Sequence, residues 1–293
     1  MKGAFLVFVA ALALAACAQG EERPAPTEST SSGGTLSTTT VAVGVPEDGP
    51  DALLVLGDWG AETDQQQQVA DAMEAVAGDL PVEAILTTGD NFYTNNVRKL
   101  MGPFDWAVGE IDFWIAWGNH DVEKKRRIDL VNQVFDNPPR WTVYRWGDYD
   151  VVILDSNQVT DRGQLAFLER VMENSERPTI VVFHHPALSC SSHGDTRVVK
   201  KKWVPRFDED VVLVLSGHDH NYQRFEDNGV TYVVTGGGGR GLYGVKDCPE
   251  GHPPRVASAE QHHFLVMRQS EGRLIVTVIN TVPEVIDLFA VEP

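Results

Sequence analysis

Five apolar runs in this chain each lead into a short segment that carries metal-ligating side chains. The runs are Ala52-Leu53-Leu54-Val55-Leu56, Ala84-Ile85-Leu86, Phe113-Trp114-Ile115-Ala116-Trp117, Ile180-Val181-Val182-Phe183 and Val211-Val212-Leu213-Val214-Leu215. The segments that end them are Gly57-Asp58-Trp59-Gly60, Gly89-Asp90-Asn91-Phe92-Tyr93, Gly118-Asn119-His120-Asp121, Phe183-His184-His185-Pro186 and Gly217-His218-Asp219-His220. Unbroken apolar runs of this length suit strands buried on both faces. Open α/β sheets gather their sites at the carboxyl ends of such strands, and the glycines permit sharp turns and close backbone approach there. Any one segment alone reads as an ordinary turn or a core histidine. The ordered set reads as one metal site.

Helical patterns separate several of the strands. Thr63 with Gln66 forms a capping box before Val69, Met73 and Val76 at helical spacing, and Gly78 ends that helix. Asp161 with Gln164 caps a second, which runs from Gln164 to Asn174 with Leu165, Leu168 and Met172 in one stripe. Val151-Val152-Ile153-Leu154 is a further strand. Alternating strand and helix imply an α/β layered fold. From Tyr232 to Phe289 the strand-like runs have no helices between them, and a second, partly antiparallel sheet is expected from them.

The formal charge of −18 argues against a nucleic-acid partner, because phosphate backbones are met by clustered Lys and Arg. A small phosphorylated substrate fits if metal ions or a few placed side chains meet its charge locally. Lys2 and the apolar run from Ala4 to Ala16, too short for a permanent membrane span, read as an export signal over residues 1–16. Leu14-Ala15-Ala16-Cys17 resembles the lipobox of bacterial lipoproteins, which would start the mature chain at a lipid-carrying Cys17. An ordinary Ala-rich signal peptide is the alternative. The location expected is thus the outer face of a bacterial membrane, by lipid anchor, or the periplasm. Residues 17–50, rich in Ser, Thr, Gly, Pro and acidic residues, read as a flexible tether, and residues 51–293 as the catalytic domain. Cys190 and Cys248 can form one disulfide in an oxidising compartment or remain two thiols.

The five segments resemble the calcineurin-like metallophosphoesterases, and more closely the purple acid phosphatases, over about residues 52–293. That resemblance implies a four-layer α/β/β/α sandwich of two mixed sheets flanked by helices. The superfamily pattern opens Asp-x-His, but Gly60 stands where that His would be; in purple acid phosphatases a Tyr in Gly-Asp-x-x-Tyr replaces the lost ligand, and Tyr93 occupies its place. The resemblance assigns Asp58, Asp90, Tyr93 and His220 to one metal, and Asp90, Asn119, His184 and His218 to the other, with Asp90 shared. Hard phenolate and carboxylate ligands suit Fe(III), while imidazoles and an amide oxygen suit divalent Fe, Zn or Mn. By the same resemblance His120 contacts phosphate and protonates the leaving group, with Asp121 orienting it, and His193 is a second such histidine. Asn91, beside the bridging Asp90, is expected to reach the phosphate or else to form the turn. His185 is expected to pack beside Pro186, with lining the site the alternative; His252, His262 and His263 match no segment.

The activity implied is acid-phosphatase hydrolysis of phosphomonoesters, by in-line attack of a metal-bound hydroxide. The alternatives are a phosphodiesterase on the same centre and a non-catalytic surface-binding lipoprotein. Gly236-Gly237-Gly238-Gly239-Arg240-Gly241-Leu242-Tyr243 lacks the Gly-Lys-Ser/Thr end of a phosphate-binding P-loop and is expected to be a flexible loop at the pocket rim. Lys124 to Arg127 and Lys200 to Lys202 are expected to be solvated helix faces.

Overall fold

Residues 51–293 are described by a computed structural model; the expected signal segment, Cys17 and the tether lie outside the described residues. The strands β1 (Ala52–Leu56), β2 (Val82–Thr87) and β3 (Asp112–Trp114) are parallel neighbours, connected through α1 (Asp64–Asp79) and α2 (Val97–Met101). Two helices follow, α3 (Asn119–Val122) and α4 (Lys125–Val134), and then the hairpin β4 (Thr142–Trp146) and β5 (Tyr149–Ile153). A second parallel series is β5, α5 (Arg162–Glu173), β6 (Thr179–Val182), α6 (Arg197–Lys202) and β7 (Val211–Ser216). The remainder is β8 (Tyr222–Asp227), β9 (Val230–Thr235), β10 (Arg255–Ala259), β11 (His263–Ser270), β12 (Arg273–Asn280) and β13 (Val285–Val291).

These strands make two mixed sheets, in the orders β13-β12-β11-β1-β2-β3 and β10-β8-β9-β7-β6-β5-β4. Their inner faces share one apolar core, including Leu53, Val55, Leu86, Ile153, Val182, Leu215 and Met267. Because strand side chains alternate, Leu54, Ile85 and Val266 of the first sheet point outward, onto Val69 and Met73 of α1 and Val131 of α4. Val152, Val181 and Val214 of the second sheet pack on Leu168 and Met172 of α5 and Val199 of α6. The layers are therefore α/β/β/α, as expected.

The strand-rich C-terminal part does not form a sheet of its own. β9 enters the second sheet beside β7 and β8, whereas β11 pairs antiparallel with β1 (Leu53 with Met267) and carries β12 and β13 onto the edge of the first. Apolar alternation tells which residues are buried, not which strand lies beside them. The β8–β9 and β11–β12 hairpins turn on Asn228-Gly229 and Glu271-Gly272, whose φ values of 51° and 84°, and 52° and 76°, give the left-handed pair a tight hairpin requires. β3 is shorter than its apolar run, because Ile115, Ala116 and Trp117 leave the ladder but stay buried on the way to the site.

The two capping boxes are each half used. Thr63 Oγ1 accepts from Gln66 N at 3.1 Å, and Asp161 caps Gln164 N at 2.9 Å. The glutamine side chains, both fully buried, turn inward: Gln66 accepts from Ala61 N and Glu62 N and donates to Leu100 O, and Gln164 accepts from Asp155 N and donates to Asp155 O and Gln158 O. They pin the loops that lead out of the strands.

Candidate metal centre

The carboxyl ends of β1, β2, β6 and β7, with the start of α3, carry the seven candidate ligands. Three of them, Asp58, Asp90 and His218, hold left-handed backbone at φ 57°, 51° and 69°. Non-glycine residues visit this region at a cost, and persist there when the surroundings impose it. Each follows a glycine with no room for a side chain: a Cβ on Gly57 would strike Thr88, one on Gly89 would lie 2.7 Å from the His184 ring, and one on Gly217 would lie 2.5 Å from the Asp58 carboxylate. A Cβ on Gly60 would fall on the carbonyl of Asn91, so backbone from the second segment already fills the place of the histidine missing from Asp-x-His. Gly60 O accepts from Tyr93 N at 2.8 Å, which fixes Tyr93 there instead.

The donor atoms converge in two groups. Tyr93 Oη lies 2.9 Å from Asp58 Oδ1 and 3.1 Å from His220 Nε2, and that nitrogen is 3.3 Å from Asp58 Oδ1. His184 Nε2 lies 3.1 Å from Asn119 Oδ1, 3.2 Å from His218 Nδ1 and 3.4 Å from Asp90 Oδ1. Asp58, Asp90 and His184 each offer a ligand atom within 4.8 Å of the others, which links the groups. His184 Nδ1 is 2.9 Å from Thr88 O and His220 Nδ1 is 2.7 Å from Gly241 O. A carbonyl accepts only, so both Nδ1 atoms carry the proton and both Nε2 atoms turn a lone pair toward the oxygens. Lone pairs facing lone pairs repel unless a cation lies between them, and a ligating histidine commonly donates its other N–H to a backbone carbonyl. The residues fit metal ions.

Electrostatics agree. Burial opposes charge on Asp90, yet the positive charge drawn to His184 and the backbone hydrogen bond from His120 N hold its carboxyl well below the usual carboxylate range. Burial also opposes charge on His184, but Asp90 and Asp58 push it up to about 9, so positive charge is drawn to this point. His218 is pushed down to about 2 by burial and by His184, which keeps its imidazole neutral. Burial and the charge of Asp58 push the Tyr93 phenol well above its usual value; a highly charged cation is what would reverse that sign.

His120 stands over Tyr93, ring centroids 4.5 Å apart, with Nε2 4.0 Å from Asp90 Oδ2. Asp121 does not orient it. The fully buried Asp121 carboxylate accepts from Gly118 N, Asn91 N, Asn91 Nδ2 and Phe92 N, and so ties the second and third segments together. Glu123 Oε2, 3.3 Å from His120 Nδ1, takes the place expected for Asp121. Arg127, expected to be solvated, is buried and bonds His120 O at 3.0 Å and Glu123 at 2.8 Å; one turn of α4 brings it back under α3. Asn91 does not reach toward a ligand either: it is fully buried, its amide donates to Ala116 O and Asp121, and its oxygen accepts from Trp59 Nε1.

His193 is exposed, with its ring 4.0 Å from that of His218. Asp219, between His218 and His220, carries no signal of its own in the sequence, yet it is fully buried and accepts from Ser189 Oγ, His193 N and Gly194 N. His185 lines the site: its ring lies 4.6 Å from that of His218 and 5.0 Å from that of His184. Tyr243 stacks on His220 at 4.0 Å, and Arg240 lies 4.8 Å from the Tyr93 ring, so the end of the glycine-rich run does border the pocket, as expected. The glycine loop is not a loose rim, since Gly236 to Gly239 are buried and a Cβ on Gly237 would strike His263. Lys200 pairs with Asp195 at 2.7 Å. Cys190 and Cys248 form a disulfide.

The profile of the family described as Calcineurin-like phosphoesterase matches residues 51–222. Purple acid phosphatase 17 of Arabidopsis thaliana is 26% identical over 239 residues, which cover 67% of this chain and 71% of that protein. Purple acid phosphatase 4 of the same plant is 25% identical over 239 residues, 67% and 70% of the two chains. GAP50, the anchor in the inner membrane complex of Plasmodium, shares the fold at a TM-score of 0.69 and 17% identity over 84% of this chain and 89% of its own. Purple acid phosphatase PPD1 from yellow lupin (Lupinus luteus) seeds does so at 0.66 and 16%, over 82% of this chain and 53% of its own. With a matching profile over more than half its length and a strand-end cluster of oxygen and imidazole donors, this chain belongs to the calcineurin-like phosphoesterase family, hydrolases of phosphoric esters.

Proposed function

We propose that the protein is a dinuclear-metal acid phosphatase acting on small phosphomonoesters. The observation that carries this reading is the convergence of seven donors in two groups around Asp90, with both His184 and His220 held as Nε2 ligands by backbone carbonyls. Asp58, Asp90, Tyr93 and His220 would hold the harder ion, Fe(III), and Asp90, Asn119, His184 and His218 a divalent Fe, Zn or Mn. Bound there, two cations supply Lewis acidity: they acidify water, draw in the phosphoryl group and offset its charge.

His120 stands at the edge of the first group, free to give a proton from Nε2 to the departing ester oxygen. His193, its loop held through Asp219 and its ring beside that of His218, would meet a phosphoryl oxygen from the side of the second group. Purple acid phosphatase relatives support the monoester, and retention of all seven donors speaks against a purely structural surface protein.

Metal analysis with a visible spectrum tests the reading. Native protein is expected to hold two metal equivalents including iron, with a phenolate-to-Fe(III) band that vanishes in Tyr93→Phe; a colourless, iron-free, active enzyme overturns the iron assignment. Comparing a phosphomonoester with a bis-ester separates monoesterase from diesterase. For location we propose export with a lipid at Cys17, a reading supported by the signal-like N-terminus and by a disulfide, which belongs to oxidising compartments. Cys17→Ser should abolish radiolabelled lipid incorporation.

A further inference from the structure

His185 stands beside the centre with no part in the coordination set or the proton transfer described above. It is half-buried, and one of its ring nitrogens lies within 4.8 Å of ligand atoms of both His184 and His218. Its backbone N–H donates to Ser156 Oγ at 2.9 Å, and its Nδ1 lies 2.8 Å from the same oxygen. Ser156 is 6% exposed, in the short turn that follows β5. Its oxygen already accepts from the His185 amide, and its own proton has Nδ1 as its acceptor. A hydroxyl that accepts from one group and donates to the other satisfies both. Among the described contacts Nδ1 is the acceptor for the hydroxyl proton, and that pairing puts the ring proton of His185 on Nε2, where it donates rather than ligates metal.

We propose that His185 Nε2–H is a third imidazole donor to the phosphoryl group, beside His120 and His193, and that Ser156 is the positioning residue that holds this tautomer. The inference rests on the phosphatase reading. His185 and His193 both lie against His218, at 4.6 and 4.0 Å, while His120 lies over Tyr93 at 4.5 Å, so the three rings border both groups of donors. A monoester dianion offers three non-bridging oxygens and a diester two, so the extra donor favours the monoester.

The test uses purified protein carrying its own metals, with inorganic phosphate as the probe and calorimetry as the readout, so that it does not depend on turnover. His185→Ala is expected to keep both metal equivalents and its thermal midpoint, to bind phosphate roughly tenfold more weakly, as for one lost hydrogen bond to a charged group, and to lower kcat/KM more for a monoester than for a diester. His185→Gln, which keeps an N–H donor, should recover part of the loss. Ser156→Ala should weaken phosphate binding in the same direction, by less. Loss of a metal equivalent in His185→Ala would make the residue a ligand and overturn the proposal, as would unchanged phosphate affinity or an effect of Ser156→Ala with none of His185→Ala. Wild-type protein that holds two metals and binds no phosphate would instead overturn the phosphatase reading.

Discussion

Asp90 and His120 sit 4.0 Å apart and do different work, which mutation can separate. The Asp90 carboxylate accepts from His120 N at 2.8 Å and faces His184, so it builds the backbone of the site and, in the proposed centre, would be the ligand shared by the two ions. Asp90→Asn or His218→Ala should lose metal, and activity with it. His120→Ala should keep both metal equivalents while kcat falls about 10²–10⁴-fold, the usual contribution of a placed acid. Metal content measured beside kcat on the same preparations checks both, and a His120→Ala protein without metal would place that histidine among the ligands. Asp121 and Asn91 show how a polar residue beside a ligand can serve the loop alone. Their hydrogen bonds hold the second and third segments in register, and both polar atoms of the Asn91 side chain are already engaged in them.

At the scale of elements, two loops complete the pocket. Residues 189–196 carry His193, and residues 240–248 carry Arg240 and Tyr243. Asp219 anchors the first from below, Ser191 Oγ donates across to Gly244 O of the second, and Asn221 Nδ2 bridges the two by donating to Ser191 Oγ and Tyr243 O. Asp195 adds a charged clasp: it pairs with Lys200 at 2.7 Å and His252 at 2.9 Å and accepts from Ser189 N. Burial opposes its charge, but these hydrogen bonds hold its carboxyl below the ordinary 3.8. A carboxyl lowered in the folded state stabilises above its unfolded value, and that stability is lost as pH falls through the folded value. Asp195→Asn should therefore cost about 1 kcal/mol near neutral pH, allowing for solvent screening. The gap to wild type should close in acid; urea melts at pH 7 and pH 3 read this out, and a gap that widens in acid would refute it.

For the whole molecule, the Cys190–Cys248 bond closes a stretch of 58 residues and joins those same two loops. Restricting the unfolded chain over that span is worth about 2–4 kcal/mol. Reduction should lower the denaturation midpoint accordingly yet leave both metals bound, because none of the seven ligands lies in either loop. Loss of metal on reduction would show that the loops hold the centre closed. The overall charge of −18 bears on the same balance. An anionic molecule attracts an anionic substrate only where cations are concentrated, and the strand-end donors are built to hold them.

Much of this was legible in the sequence. Strands buried on both faces write themselves as unbroken apolar runs, and turns that need tight backbone write themselves as Gly before the ligand. A metal site was thus readable from spacing and residue type, while the individual ligands, and the branch of the family to which Tyr93 with Gly60 pointed, came from the resemblance. Only the tertiary structure decided which strands are neighbours, because alternation encodes burial and not partners, as β9 and β11 show by joining different sheets. It alone decided what the side chains beside the ligands do. Asp121, Asn91, Asp219 and His185 are polar residues whose roles depend on partners 29 or 30 residues away in the chain, and no local pattern records where those hydrogen bonds go.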